Sequence, residues 1–410
     1  MEIRPILSTL RRHKTAAALI VLQIALTCAI ICNALFMVGQ RIAEMREVSG
    51  IAVDELLRIQ IIPIGEEANA QAQTRSDLAL LRNLPGVVAA TTSNQVPFVN
   101  SSWNSSVNLQ PEQERPTLNA TNYMGEEQFM DTFGLKLVAG RNFEAGEYLT
   151  LEELNAPDRT TGYPSVIVTR TMAERLFPGE DAVGKSIYLG SSTPTRIVGV
   201  IEHLVRPSRQ GGPSAREYTM ILPIRATYDL GAQYIVRTSP ERRQEVLAAA
   251  IAALRGNGPV RIVIDENTKP FSELRSEFYQ QQRGMAWLLG IVCAALLLVT
   301  ALGIVGLASF WVQQRTKQIG VRRALGATRG QILRYFQVEN FILAGIGIVL
   351  GMLAAFGINQ WLMSQYEMFR LPLVYLPIGA VALWLLGQIA VFGPARRAAA
   401  VPPAIATRTA

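Results

Sequence analysis

The chain has 410 residues, 49% of them hydrophobic, and carries a formal net charge of +7. The basic excess does not indicate a nucleic-acid-binding protein, because the Lys and Arg residues concentrate beside long apolar segments. All three cysteines lie inside those segments, so disulfides are not expected to stabilise the rest of the chain. We therefore expect a membrane protein that contacts the lipid bilayer and binds no nucleic acid.

One long apolar segment lies near the start of the chain and three lie near its end. Each reaches or approaches the ~20 residues needed to cross a ~30 Å hydrocarbon core, and none contains Lys, Arg, Asp or Glu. The pattern predicts an α-helical bundle with spans in a 1 + 3 arrangement. The predicted segments are an amphipathic N-terminus at 1–14, spans at 15–38, 285–312, 341–358 and 373–392, a soluble domain at 39–284, a basic segment at 313–337, a short loop at 359–372 and a tail at 393–410.

Charge predicts the orientation of these spans. Lys and Arg accumulate on the cytoplasmic side of membranes, and they dominate residues 1–14, 313–337 and the tail, whereas residues 40–284 are weakly acidic. We expect both termini and the basic segment in the cytoplasm and the soluble domain outside. The first apolar run is longer than the core of a signal peptide, and no small-x-small site follows it closely, so we expect a retained anchor.

Two stretches of the soluble domain share a strand–helix–strand pattern. They lie at 51–96 and 226–270 and combine β-branched runs with an amphipathic helix. We expect a large α+β domain in which these stretches form one split βαβ sandwich, interrupted by a β-rich insert at 97–225. Residues 39–50 and 271–284 would form a stalk, with 271–284 leading as a helix straight into the second span.

The basic segment at 313–337 interleaves basic and apolar residues at helical spacing. Gly326 interrupts the pattern, and Thr328 and Gln331 have the spacing of a capping box that opens a new helix. That helix would carry a stripe along the membrane surface, formed by Ile332, Tyr335, Phe336 and Glu339.

A positive-inside loop with snorkelling arginines would explain the charge of this segment but neither the glycine nor the cap. We therefore interpret it as a cytoplasmic helix that docks onto a partner. The candidate docking residues are Arg315, Ile319, Arg322, Arg323, Leu325, Gly326, Thr328 and Ile332.

Two segments resemble nucleotide-binding motifs without the context that such motifs need. Gly179–Ser186 matches the phosphate-loop pattern GxxxxGK[ST], and Asp265 and Glu266 end an apolar run. A phosphate loop works between a strand and a helix, whereas a helical pattern precedes this match and a strand pattern follows it. His203 has no evident partners for metal binding or catalysis. We expect no catalytic residue, cofactor or metal site in this chain.

Several segments resemble one family of permeases, the ABC transporter permeases of the MacB/FtsX/LolC type. The family signature after the second span is similar to QRTKQIGVRRALGATRGQIL at 314–333, and its C-terminal pattern is similar to PARRAAAVPPAIA at 394–406. The segments that resemble its periplasmic core are 129–143, 170–190 and 196–204.

The resemblance implies a stand-alone permease of the mechanotransmission class, whose ATPase is a separate polypeptide that carries ATP and Mg. A second permease, identical or different, would pair with it around the first two spans. The small-xxx-small pair of Gly347 and Gly351, with Gly345 beside it, would then pack within one subunit. In the family the outer domain has a porter part and an inserted sabre part, which correspond to the split sandwich and its insert.

The leading hypothesis is export of an amphipathic antibiotic, peptide or lipopeptide across the bacterial cell envelope, with a periplasmic adaptor (membrane fusion protein) and with the chain in the inner membrane. Lipoprotein release is an alternative within the family. A regulator of a cell-wall hydrolase is a third possibility, and a membrane-anchored sensor without ATP coupling is an alternative from another class. Proteins that copurify with the chain would separate these hypotheses, because a sensor would bring down no ATPase.

Overall fold

The computed structural model of the chain describes residues 14–65, 69–154, 156, 162–209, 215–365, 370–400 and 402. Residues 1–13 of the predicted N-terminal segment, and residue 401 with residues 403–410 of the predicted tail, therefore lie outside the described residues. The helices are α1 (Lys14–Met45), α2 (Ala70–Arg82), α3 (Phe129–Phe133), α4 (Leu151–Leu154), α5 (Arg170–Leu176), α6 (Arg243–Gly256), α7 (Phe271–Phe278), α8 (Gln280–Gln314), α9 (Thr316–Ala324), α10 (Arg329–Gln365) and α11 (Tyr375–Ala399).

The strands all lie between α1 and α7. They are β1 (Leu56–Ile59), β2 (Ile61–Pro63), β3 (Val87–Ser93), β4 (Asn104–Val107), β5 (Leu118–Met124), β6 (Leu137–Gly140), β7 (Leu149–Thr150), β8 (Ser165–Thr169), β9 (Ser186–Tyr188), β10 (Pro194–Ile201), β11 (Thr219–Leu222), β12 (Ile224–Arg225), β13 (Gln233–Thr238), β14 (Arg261–Val263) and β15 (Lys269–Pro270).

The chain divides into two units, which are described separately. The helical unit comprises residues 1–46 and 281–410, and the α/β unit comprises residues 47–280. In the described part of the chain, α1, α8, α10 and α11 are the helices that are long and apolar enough to cross a membrane. The predicted fold class, a helical membrane bundle with a large α/β domain after its first span, is confirmed.

In the helical unit, α10 packs against both α1 and α11. The buried core of this unit contains Ile24, Cys28 and Cys32 of α1 together with residues of α8, α10 and α11. Large apolar side chains on the outward faces remain exposed, as expected for helices that meet lipid. The thiols of Cys28, Cys32 and Cys293 are buried in this core, where they act as small packing residues.

The spanning helices extend beyond their predicted bounds. The predicted surface helix after Thr328 and the span at 341–358 are one continuous helix, α10, because the polar residues at 339–340 are buried within the bundle rather than at a helix end. The PARRAA part of the predicted tail is the last part of α11, which contains Pro394. The helix predicted at 271–284 is broken at Tyr279, between α7 and α8.

One sheet of the α/β unit has the strand order β15-β1-β13-β3, with antiparallel neighbours. Residues of α2 and α6 share a buried core with β1, β3 and β13. This sheet combines strands from both predicted stretches, 51–96 and 226–270. In the second stretch, the strand after the helix is β14, which pairs with β2 in a separate ribbon. The chain returns to the main sheet only at β15.

A second sheet has the strand order β4-β5-β11-β8-β10-β6, with β9 added to β10. Its pairs β5/β11 and β8/β10 are parallel and the other neighbours are antiparallel. Met172 and Leu176 of α5 pack into its core. All of its strands fall within the predicted insert at 97–225.

Candidate functional site

The candidate site is the helical hairpin formed by α9, the turn after it and the start of α10. A single residue, Arg315, separates α8 from α9. Backbone hydrogen bonds continue across it, from Arg315 N to Trp311 O at 3.1 Å and from Ile319 N to Arg315 O at 2.9 Å. The hairpin is therefore a slightly broken extension of α8 and not a flexible loop.

Gly326 turns the chain at the tip of the hairpin. Its φ is +98°, a left-handed conformation that glycine adopts without steric cost. The N–H of Ala327 donates to Arg322 O at 3.0 Å, and the N–H of Gly326 donates to Arg323 O at 3.1 Å. These two bonds form a Schellman motif, which ends α9 and satisfies its last carbonyls.

The predicted capping box opens α10. The Thr328 N–H donates to Gln331 Oε1 at 2.9 Å, and the Gln331 N–H donates to Thr328 Oγ1 at 3.2 Å. Each side chain thus satisfies a backbone donor that the helix itself leaves unpaired. The turn is defined at both ends by local hydrogen bonds, which explains why sequence patterns located it.

A buried ion pair fixes the hairpin to α10. Nη1 of Arg315 donates to both carboxylate oxygens of Glu339, at 3.0 and 2.9 Å. The Arg315 guanidinium also lies over the indole ring of Trp311, with Cζ 5.5 Å from the ring centroid. Glu339 was predicted to lie at the membrane surface, and the structure corrects this: its side chain is buried, because a carboxylate within the bundle is stabilised there by its Arg partner.

The predicted docking residues divide into two groups. Ile319 and Ile332 belong to the buried core of the helical unit, and Arg315 is occupied by Glu339. The prediction that these three residues contact a partner at the surface is therefore corrected: they support the hairpin from inside. The two isoleucines gain more by packing in the core than by exposure, and Arg315 is paired with Glu339.

Leu325 and Arg322 form the outward part of the hairpin. Leu325 is 83% exposed at the tip. Arg322 is exposed too, and its guanidinium lies 5.0 Å from the ring centroid of Tyr335. Arg323 is half-buried, while Gly326 and Thr328 shape the turn. Arginine is one of the residue types that contribute most to protein interfaces, and Arg322 lies at the surface close to the exposed side chain of Leu325.

Sequence reasoning missed the partner of Arg315. Glu339 lies 24 residues away, and its pairing depends on how α10 folds back beside α8. One signal was available: Glu339 is the sole acid between Gln313 and Asn340, a segment with many basic residues. A single carboxylate in such a basic segment is a natural ion-pair partner.

The phosphate-loop look-alike has the neighbours that the sequence predicted, with α5 before it and β9 after it. Gly179 and Gly184 adopt positive φ values of 75° and 88° in turns. The Lys185 ammonium pairs with Glu180 and lies 4.5 Å from the ring centroid of Phe177. Among the described residues, no cluster of His, Cys, Asp and Glu has an arrangement that could hold a metal ion.

Gly347 and Gly351 face α1 within this chain. A Cβ added to Gly347 would lie 2.9 Å from Ile24 Cβ, and one added to Gly351 would lie 2.5 Å from Cys28 Cβ. The two glycines thus permit close approach of α10 and α1. Gly345 does not share this surface, because an added Cβ there would meet nothing within 4 Å.

The fold and the hairpin define a class of protein: a multi-pass membrane protein with a large α/β unit after its first spanning helix. Family models refine the class. A MacB-like periplasmic core domain matches residues 17–254, more than half of the chain, and an FtsX-like permease C-terminal domain matches residues 290–403. The chain belongs to the MacB-like family of ABC transporter permeases.

Individual proteins are similar to parts of this chain. The macrolide export ATP-binding/permease protein MacB of Nitrobacter winogradskyi is 31% identical over 60% of this chain and 38% of that protein. MacB of Chromobacterium violaceum is 24% identical over 98% of this chain and 62% of that protein. The chain thus spans less than two thirds of the length of these relatives. The extracellular domain of the ABC-type transporter YknZ from Gram-positive bacteria covers 51% of this chain at 18% identity, with a TM-score of 0.33.

Proposed function

We propose that the chain is a permease subunit of an ABC transporter in which cytoplasmic ATP hydrolysis changes the conformation of the α/β unit outside the membrane. The hairpin of α9 is the docking element for the ABC ATPase. The observation that carries this assignment is the exposed pair Leu325 and Arg322 on a hairpin whose base is held by buried contacts. An element that transmits force must be exposed at its tip and rigid at its base, and this hairpin is both.

The chemistry of ATP hydrolysis belongs to the partner. ATP and Mg bind on the ABC ATPase, and this chain contributes no catalytic residue or cofactor site. The hairpin, both termini and the ATPase lie in the cytoplasm, as the basic residues beside the spans indicate. The membrane is the bacterial inner membrane, and the α/β unit faces the periplasm.

The transported substrate is an amphipathic antibiotic, peptide or lipopeptide. Support comes from the relatives named as macrolide export proteins. Two permease subunits, identical or different, form the transporter, and a periplasmic adaptor binds the α/β unit. Release of lipoproteins remains the alternative within the family.

The test separates loss of docking from loss of folding. Arg322→Glu combined with Leu325→Asp places acids on the exposed tip and disturbs no buried contact. We expect the variant to insert and fold normally but to lose copurification of the ATPase, since two interface anchors often contribute about 2 kcal/mol or more each. Affinity purification from membranes followed by assay of ATP hydrolysis measures both effects.

A matched control makes the same chemical changes elsewhere. Arg255→Glu combined with Val260→Asp alters an exposed arginine and a valine that is 80% exposed, both on the α/β unit. This control and Lys185→Ala should retain the ATPase. An ATPase that remained bound to the tip variant, or was lost with Lys185→Ala, would contradict the proposal. A wild-type chain that brought down no ATPase would favour a sensor.

A further inference from the structure

Arg216 joins two distant parts of the chain inside the α/β unit. Its Nε donates to Glu47 Oε2 at 2.6 Å, and its Nη2 donates to the Tyr279 hydroxyl at 3.1 Å. Cζ of Arg216 also lies 5.8 Å from the ring centroid of Phe278. Arg216 is buried, so its contacts are made away from bulk solvent, where charge-assisted hydrogen bonds are strongest.

The partners of Arg216 lie at both points where the chain joins the spanning helices. Glu47 follows the last residue of α1 by two positions, and Tyr279 directly precedes the first residue of α8. Arg275 of α7 reaches the same place, with its Nη2 3.4 Å from Glu47 O. Because the chain runs from α1 to Glu47 within two residues and from Tyr279 directly to α8, a displacement of either helix moves these two residues before the rest of the α/β unit.

Phe98 approaches the same junction from the other end of the insert. Its ring centroid lies 5.9 Å from that of Phe278 and 6.3 Å from that of Tyr279. Among the described residues, Phe98 is the one residue other than glycine that has a positive φ, +69°. A bulky aromatic residue is rare in this conformation, and such strain persists only where the surrounding contacts require it.

Arg216 is connected to the second sheet as well as to the junction. The Arg206 N–H donates to Arg216 O at 3.0 Å. The Arg206 side chain donates to Thr121 Oγ1 at 3.2 Å and to Asn104 Oδ1 at 2.8 Å, on β5 and β4. Burial lowers the pKa of the Arg206 guanidinium, and the nearby positive charge of Arg216 lowers it further. A continuous set of buried and partly buried contacts thus runs from the junction to the strands of the β-rich insert.

We propose that Arg216 and Phe98 form a clasp, together with Glu47 and Tyr279, that passes movement of α1 and α8 to the β-rich insert at 97–225. The role of the clasp in transport rests on the proposed function of the chain as a permease subunit. Arg216 is a positioning residue: it contacts no substrate, and it keeps the insert coupled to the spanning helices.

The first test uses the purified chain in lipid nanodiscs and needs no ATPase. In Arg216→Gln, amide hydrogen exchange at residues 47–50 and 271–279 should rise by about tenfold or more as the clasp opens locally. Exchange in α6 should not change. Arg225→Gln is the matched control, because it breaks another Arg–Glu ion pair of the same unit, with Glu127, away from the clasp.

Charge reversal distinguishes the clasp from a general loss of stability. Arg216→Glu combined with Glu47→Arg should recover protection at residues 47–50 and 271–279, while each single reversal should lose it. Equal exchange in Arg216→Gln and wild type, an equal rise in Arg225→Gln, or no recovery in the double reversal would each overturn the clasp.

The second test measures coupling in the complex with the ATPase. Spin labels at Glu112→Cys in the insert and Arg255→Cys on α6 should report an ATP-dependent change of distance in the wild-type background. Arg216→Gln should keep ATP hydrolysis and lose that change. An unaltered distance change in Arg216→Gln would overturn the clasp, whereas a wild-type complex without any ATP-dependent change would contradict the proposed function instead.

Discussion

Arg315 and Glu339 form an ion pair inside the helical unit, with one arginine nitrogen 2.9 and 3.0 Å from the two carboxylate oxygens. The exposed fractions of the two side chains are 8% and 2%. Because Arg315 is the single residue between α8 and α9, the pair ties the break in the helix to α10. The pair therefore helps to fix the base of the hairpin, together with the buried side chains of Ile319 and Ile332.

Loss of this ion pair should destabilise the helical unit. In Glu339→Gln the arginine charge remains buried without a counter-charge, and breaking a buried pair in this way typically costs about 3–5 kcal/mol. Thermal unfolding in detergent should show a clearly lower midpoint than wild type. Arg322→Gln, which alters an exposed arginine of the same hairpin, should leave the midpoint nearly unchanged. Equal midpoints for wild type and Glu339→Gln would contradict the structural role of the pair.

Two glycines of α10 offer a matched test of helix packing. Gly351→Ala should lower stability by about 1–3 kcal/mol, because the new Cβ overlaps Cys28 and the backbone of Ala25. Gly345→Ala should be neutral or slightly stabilising, since it meets open space and alanine favours the helix. Unfolding midpoints and size-exclusion chromatography measure both variants. If Gly351→Ala separated a folded dimer into folded monomers, the glycine would serve contact between subunits instead.

Cysteine labelling tests the proposed orientation. Leu325→Cys and Glu112→Cys place thiols at exposed positions of the hairpin and of the insert. A membrane-impermeant maleimide should label Glu112→Cys in intact spheroplasts and Leu325→Cys only after the membrane is opened. The native cysteines Cys28, Cys32 and Cys293 are buried, so the background should be low. Labelling of both positions from outside would exclude the proposed orientation and, with it, the docking of an ATPase at the hairpin.

Tyr234 should make the α/β unit sensitive to alkaline pH. Its hydroxyl donates to Asp77 at 2.5 Å, and burial followed by the charge of Asp77 raises the pKa of Tyr234 well above its ordinary value. The folded chain keeps this phenol protonated at a pH where the unfolded chain ionises it. The resulting stability is fully present below about pH 10 and is lost as pH rises further.

Tyr234→Phe should weaken the decline of unfolding free energy between about pH 10 and 12 by up to about 1.4 kcal/mol per pH unit. Urea unfolding at a series of pH values measures this slope, and identical slopes in the two proteins would refute the assignment.

Local features of the chain follow from its sequence alone. Apolar length located the spanning helices, since a membrane imposes its thickness on every helix that crosses it. Gly326 and the Thr328–Gln331 pair located the turn of the hairpin, because its hydrogen bonds join residues at most five positions apart. The split of the α/β unit was visible for a similar reason, as each strand and helix carries its own periodicity.

Contacts between distant residues required the fold. The stretch of chain around Arg315 contains a single acid, Glu339, but the pairing itself forms only after the helices have packed. Nothing near Arg216 in the sequence specifies Glu47 or Tyr279, for the same reason. Packing likewise decided that Ile319 and Ile332 face inward while Leu325 faces outward, although all three are aliphatic residues of one segment. Side-chain chemistry and spacing therefore specified which elements form and which pass through the membrane. The arrangement of those elements specified which side chains are available to a partner, since exposure is a property of the packed chain and not of the residue.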